Sequence, residues 1–376
     1  MEALKIGDLT VRVPIVQGGM GVAISLSGLA TAVANAGGIG VISAAGIGMT
    51  EPNFAKDFHE ANKTALKRHI RKVRENSNGV LGVNLMVALS DYDELLKVAI
   101  EEKVDIAIMG AGLPLKMPQF VLDKGFDNIH TKFAPKVSGG KAAKLIFNYW
   151  ATKFNHVPDA VVVEGPKAGG HLGFKREQLE GEHVPLANLV KEVVAVLEEF
   201  EAKFNKKIPV IAAGGVYTGE DMKEMIDAGA KAVKLGTRFV TTHECDANIE
   251  FKNSYINSTA DDMKLVNSPV GLPGRVVNGP FVEKVFRNET SPFSCPWKCL
   301  KSCDYTKAPY CISNILLQAS KGRLDRGFAF AGTNAHRATK IESVQEVIDD
   351  VINGYKKLST KSNASIRITT KEKLAV

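Results

Sequence analysis

Eight short, almost wholly apolar runs, each followed by helical periodicity or a glycine-rich turn, constrain this chain more than any other feature. The runs are Val13–Val16, Gly40–Ser43, Gly82–Met86, Ile106–Met109, Phe133–Val137, Ala160–Val163, Val210–Ala213 and Ala232–Leu235. Helical patterns between them cover Leu26–Ala36, Phe54–Asn76, Tyr92–Glu102, Met117–Lys124, Lys141–Phe154, Leu189–Phe204 and Asp221–Ala228. A strand that is apolar without alternation must be buried on both faces, as in a parallel sheet covered by helices. Eight such units predict an α/β fold, a closed (β/α)8 TIM barrel. An open doubly wound sheet is the competing arrangement.

After Val240 the rhythm breaks. Residues 262–312 carry Pro269, Pro273, Pro280, Pro292, Pro296 and Pro309 without a clean period, and helical segments return at Ile312–Ala319 and Glu342–Ile352. The expected division is a barrel over 1–250, an appended helical and irregular subdomain over 251–340, and a C-terminal helix and tail over 341–376. The Lys-, Ser- and Thr-rich end from Lys356 is expected to be mobile.

Composition narrows the function classes. An apolar share of 45% describes a globular chain, and five cysteines in 376 residues are too few for a secreted disulfide scaffold. The acidic, discontinuous N-terminus does not read as a signal peptide, and no apolar stretch reaches the roughly 18 residues of a membrane span. A cytoplasmic protein is expected. The net charge of +7 is dispersed. Its densest run, Lys63, Lys67, Arg68, Arg71, Lys72 and Arg74, shares a helix with inward Phe54, Phe58, Leu66, Ile70 and Val73, which makes it a solvated face. Neither nucleic acid nor a membrane is an expected partner. A homodimer is allowed, but nothing in the sequence sets the oligomeric state.

In a barrel, ligands bind on the loops that follow the strands, and here every strand exit carries glycine or a polar group. The exits are Gln17, Gly18, Gly19 and Met20; Ser43 to Gly46; Asn84; Gly110 to Gly112; Lys136 to Ser138; Gly169, Gly170 and His171; Gly214 and Gly215; and Gly236 and Thr237. This pattern predicts a large flat ligand across the barrel mouth. Glycine lets the backbone approach it closely. Amides of Gly214, Gly215, Gly236 and Thr237 are candidates to cradle a phosphate, and His171 is the candidate acid–base group. The loop 172–186, with Lys175, Arg176, Glu177, Glu180, Glu182 and His183, is expected to form a lid.

Taken together, Pro14–Met20, Asn35–Val41, Gly82–Leu85, Glu164–Gly173, Pro209–Gly215 and Lys234–Phe239 resemble the nitronate monooxygenase family. That family was formerly called 2-nitropropane dioxygenase and includes the flavin-dependent enoyl-ACP reductases. The likeness covers about residues 8–245 and implies an FMN-containing barrel. It places Gln17, Gly18, Gly19 and Met20 beneath the flavin ring, with Asn84 hydrogen-bonded to it. It sets Gly169 and Gly170 against the cofactor, puts its phosphate on Gly214, Gly215, Leu235, Gly236 and Thr237, and makes His171 the active-site histidine. Glu164 stands where many relatives have glutamine. Lys136 matches no family position; its role as a cation that stabilises a reduced, anionic flavin is read from its place alone.

Cys295, Cys299, Cys303 and Cys311 follow no pattern of that family. Their C-x3-C-x3-C-x7-C spacing leaves open four reduced thiols packing a loop, a zinc or iron–sulfur centre, or a disulfide, and no metal site is assigned to them. The resulting expectation is an FMN-dependent nitronate monooxygenase that uses oxygen. An NAD(P)H-dependent reductase of enoyl thioesters or quinones is the alternative. A ligand-binding sensor without turnover and a flavin-free phosphate-binding barrel are more distant ones.

Overall fold

The computed structural model describes residues 2–373 apart from 53, 182, 293 and 296, and only the backbone of 361–373; Glu182 and Pro296 therefore lie outside the described residues. A hairpin of β1 (Leu4–Ile6) and β2 (Leu9–Val11) leads into β3 (Ile15–Gln17), β4 (Ile39–Ser43), β5 (Val80–Met86), β6 (Ile106–Gly110), β7 (Lys132–Val137) and β8 (Val161–Glu164). A two-residue strand, β9 (Gly170–His171), lies in the loop after β8, followed by β10 (Val210–Ala213) and β11 (Ala232–Leu235). Strands β3 to β8, β10 and β11 close into a parallel barrel, β11 pairing back onto β3. All eight expected strands are present. The hairpin was not foreseen: three-residue strands leave too little period to read. Its Leu4, Ile6 and Val11 join Val16, Val41, Ile108, Ala134, Val162 and Ile211 in the cluster that fills the barrel from below.

Helices α1 (Ser27–Asn35), α2 (Phe58–Asn76), α3 (Tyr92–Glu101), α4 (Gln119–Lys124), α5 (Gly140–Phe154), α6 (Arg176–Glu180), α7 (Leu186–Phe204) and α8 (Gly219–Asp227) occupy the connections. After β11 comes only the single turn α9 (Thr237–Val240). The chain then leaves the ring through α10 (Ile249–Ile256), β12 (Met263–Asn267), β13 (Pro273–Val277), α11 (Pro280–Phe286) and α12 (Ile312–Ser320). It returns as α13 (Val344–Lys373), which packs on both α8 and α1. That is the place of the barrel's eighth helix. Contact with α8 is close: a Cβ on Gly219 would stand 2.2 Å from the Tyr355 nitrogen.

The segment before α13 contains more than helix and loop. Strands β12 and β13 pair antiparallel, and β13 pairs with β9 through Gly274 with His171 and Arg275 with Gly170. A sheet thus ties the loop that carries the candidate histidine to residues about a hundred positions later.

Candidate functional site

Side chains of a strand alternate between its two faces, so the core-facing positions can be followed up each strand. Ala134, Val162 and Ala232 belong to the apolar plug. Two residues further on, the same strands present Lys136, Glu164 and Lys234, while β4 and β5 present Ser43 and Asn84; all five line a cavity of about 220 Å³ at the C-terminal end of the barrel. The uppermost interior layer is therefore polar and charged, resting on an apolar one. Gly110 leaves room for this layer, since a Cβ there would come within 2.7 Å of the Lys136 side chain. The Lys136 ammonium donates to Glu164 Oε1 at 3.0 Å and lies 2.9 Å from Oε2 in an ion pair.

Gly18, Gly19 and Met20 form one wall of the cavity, and Gly169, Gly170, His171, Gly214, Gly215, Gly236 and Thr237 form others. Positive φ at Gly214 (90°) and Gly215 (106°) turns the chain sharply after β10, a geometry that favours glycine. None of the N–H groups of Gly214, Gly215, Gly236 and Thr237 donates to an acceptor among the described residues. Each is partly exposed where the cavity opens, which makes the pair of exits a set of unspent donors for an anion. Their outer sides are strapped down instead. Asn334 donates to the Gly215 carbonyl at 2.7 Å, and the Gly332 amide donates to the Thr237 hydroxyl at 3.1 Å.

His171 enters the cavity wall from β9. Its Nε2 lies 2.6 Å from the Ser268 hydroxyl, and its ring meets Phe330 edge-on at 4.9 Å. Nδ1 has no partner among the described residues and is the nitrogen left for a ligand. Burial, with a smaller contribution from Lys136, pushes the imidazole down to about 4, so it is neutral at pH 7. Arg275, buried on β13, donates to the Pro166 and Ala168 carbonyls at 2.6 Å each and so clamps the glycine loop from the cap side.

Thirteen of the fifteen residues picked from the sequence meet in this one cavity. Gln17 and Leu235 do not line it. The wholly buried Gln17 amide bridges strands instead, donating to the Val41 carbonyl at 2.8 Å and accepting from the Val41 amide at 2.9 Å. It supplements a β3–β4 ladder whose backbone pairing is reduced to Val16 with Ile39. The Leu235 carbonyl receives the Gly18 amide at 2.7 Å. Both hold the glycine wall from behind.

The expected lid does not cover the site: none of the described residues of 172–186 lines the cavity. Leu172 and Leu179 pack with Ala168 beside Leu265, and Arg176 reaches the Leu265 carbonyl and the Asn267 side chain on β12. The roof comes from Tyr255, Phe330, Cys299, Ile312 and Leu316; Cys299 stands out in the sequence only for its spacing to other cysteines, and no local pattern marks the other four as cavity residues. The Tyr255 hydroxyl donates to the Phe330 carbonyl and fixes that roof. All five cysteines are unpaired. Burial raises the Cys299 thiol to about 11, and its sulfur lies 3.1 Å from the Ser313 hydroxyl. Among the described residues no group of His, Cys, Asp or Glu is arranged to hold a metal ion.

Comparison with known proteins agrees with this geometry. A structure of FabK from Thermotoga maritima is 29% identical, with a TM-score of 0.71 over 94% of this chain and 96% of that one. A (3aS,4S,5R,7aS)-5-hydroxy-7a-methyl-1-oxo-octahydro-1H-indene-4-carboxyl-CoA dehydrogenase of Rhodococcus jostii is 28% identical over 73% of this chain; the match spans 65% of that relative's length. A probable nitronate monooxygenase of Staphylococcus saprophyticus is 27% identical over 74% of this chain and 79% of its own. The family profile described as nitronate monooxygenase matches residues 2–354. With the barrel, the cavity and that match in hand, the chain belongs to the nitronate monooxygenase family.

Proposed function

We propose that this chain is an FMN-dependent oxidoreductase that oxidises alkyl nitronates with oxygen as acceptor. One observation carries the reading: four unspent main-chain amides at the β10 and β11 exits share a cavity with an imidazole whose Nδ1 is free. The fit of a mononucleotide is supported by Gly236, where a Cβ would meet nothing nearer than the Met20 sulfur at 3.7 Å. It would stand in ligand space, not in protein. FMN, when bound, supplies the redox chemistry, and the protein supplies position and electrostatics.

In this reading Gly214, Gly215, Gly236 and Thr237 hold the phosphate, while Gly18, Gly19 and Met20 support the ring system. Asn84 offers its amide, and Gly169 and Gly170 flank the cofactor. Neutral His171 accepts a proton from the substrate or donates a hydrogen bond to a nitro oxygen, with Ser268 holding its ring. Residues 251–340 act as a cap over a barrel that α13 completes, which modifies the division expected at residue 341. The protein is taken to work in a reducing compartment, consistent with its unpaired cysteines.

A second reading, NAD(P)H-dependent reduction of an enoyl thioester, is favoured by the carboxyl-CoA named for the Rhodococcus relative. The net charge of +7 suits an anionic thioester carrier. Absorption spectroscopy followed by turnover separates the readings. Flavin bands, with oxidation of ethylnitronate or propionate 3-nitronate in the absence of NAD(P)H, support the first. NAD(P)H-dependent loss of crotonyl-thioester absorbance with no nitronate oxidation replaces it by the second. A colourless protein that does not take up FMN overturns both.

A further inference from the structure

The polar layer beneath the cavity holds two lysines, and only one of them is committed. Lys136 on β7 spends its charge on Glu164 of β8. Lys234 on β11 is 8% exposed, lines the same cavity, and neither donates a hydrogen bond nor joins an ion pair among the described residues. Its strand neighbours offer no counter-charge: the residues in register with it are Ala213 on β10 and Val16 on β3. The charged and titratable groups that face it are Lys136 and Glu164 from the layer itself; Lys167 and His171 line the cavity from the loop after β8. A buried ammonium without an acceptor is costly, and folding has placed this one at the wall of the cavity.

On the reading that the cavity takes FMN, we propose that Lys234 is the charge partner of the flavin, a cation held in reserve for the anionic reduced ring. The role expected of Lys136 from the sequence thus passes to its neighbour, because Glu164 has neutralised Lys136. The proposal involves no covalent step. It states that the reduced, anionic flavin is bound more tightly than the oxidised form by an ammonium that no protein group satisfies. Burial and the Lys136 charge lower Lys234 to about 8, with Glu164 opposing, so the preference fades as pH rises through that value.

The test uses the full-length protein and two variants, Lys234→Gln and Lys234→Arg, each titrated with FMN and then equilibrated with redox dyes. Failure of the wild-type protein to bind FMN overturns the parent reading. With FMN bound in all three, Lys234→Gln is expected to weaken reduced flavin about tenfold more than oxidised flavin, a midpoint lower by about 30 mV for a two-electron couple. Lys234→Arg is expected to stay close to wild type below about pH 8 and to lack the wild-type change of slope there. The Lys234→Gln apoprotein is expected to melt at or above the wild-type temperature, because an unpaired buried charge has been removed. An unchanged midpoint in Lys234→Gln, or a lower melting temperature of its apoprotein, overturns the proposal in favour of a purely structural lysine.

Discussion

In the proposed reading, single residues at the cavity wall divide into those that meet a ligand and those that hold the ones that do, and His171 belongs to the first group. His171→Ala is expected to keep its flavin while turnover falls by about 10²-fold, the scale of a positioned acid–base group. Because the imidazole is held near 4, the acid limb of the wild-type pH–rate profile is expected well below the ordinary histidine value of about 6.5; a limb near that value would remove His171 as the base. Gly236 permits a cleaner experiment than Gly215. Its φ is −104°, which any residue adopts, and its Cβ position is open; Gly215, at φ 106°, would be strained by any side chain. Gly236→Val should therefore fold, with an unchanged circular dichroism spectrum, and lose stoichiometric FMN. Full retention of the cofactor would move the phosphate elsewhere.

Among the elements, α13 has the most consequence. The barrel cycle breaks after α9, and the outer ring closes only when α13 packs on α8 and α1. Two glycines allow this approach: Gly354 Cα and the N-terminus of α8 at Gly219 are near neighbours, and a Cβ on Gly219 would press on the backbone of Val351, Gly354 and Tyr355. Overpacking of this kind costs about 1–3 kcal/mol. Gly219→Ala is expected to lower the urea midpoint accordingly, without loss of helix content, since alanine is the better helix former. A stabilised variant would show that α13 is not packed there. Arg238, next to the candidate phosphate residue Thr237, belongs to this joint and not to the cavity. It is buried, pairs with Glu342 and Asp350, and lies over the Tyr217 ring.

At the scale of the whole molecule, three desolvated histidines, of which His69 is buried and His156 and His171 are half-buried, contribute to the response to acid. His69, His156 and His171 are each depressed to about 4, chiefly by burial. Their folded values lie below the unfolded one, so the unfolded chain takes up protons first as pH falls. The stability they confer is complete above about pH 6.5 and is lost between there and about 4. Asp91 and Asp246, raised by burial, act in the opposite sense at the lower end of that window. His69 makes the clearest probe, being remote from the cavity and bonded to the Ser27 hydroxyl at 3.0 Å. In His69→Gln the slope of urea stability against pH between those values is expected to flatten, and an unchanged slope would assign the acid response to other groups. Much of this molecule was legible beforehand for a local reason. A strand buried on both faces must be apolar at every position, so Val161, Val162 and Val163 announce a parallel strand without knowledge of any neighbour. A backbone that turns at φ near 100° favours glycine, so Gly214 and Gly215 mark their exit. The sequence by itself determined the succession of eight buried strands and the exits at which the candidate residues gather, because each is written in the allowed conformations of consecutive residues; that the strands close into a barrel and not an open sheet was decided by the pairing of β11 with β3. Only the tertiary structure decided that Lys136 is neutralised and Lys234 is not, that Ser268 steadies His171, and that the cap rather than the 172–186 loop roofs the cavity. Those outcomes depend on which groups from distant segments come within hydrogen-bonding range, and spacing along the chain carries no record of that.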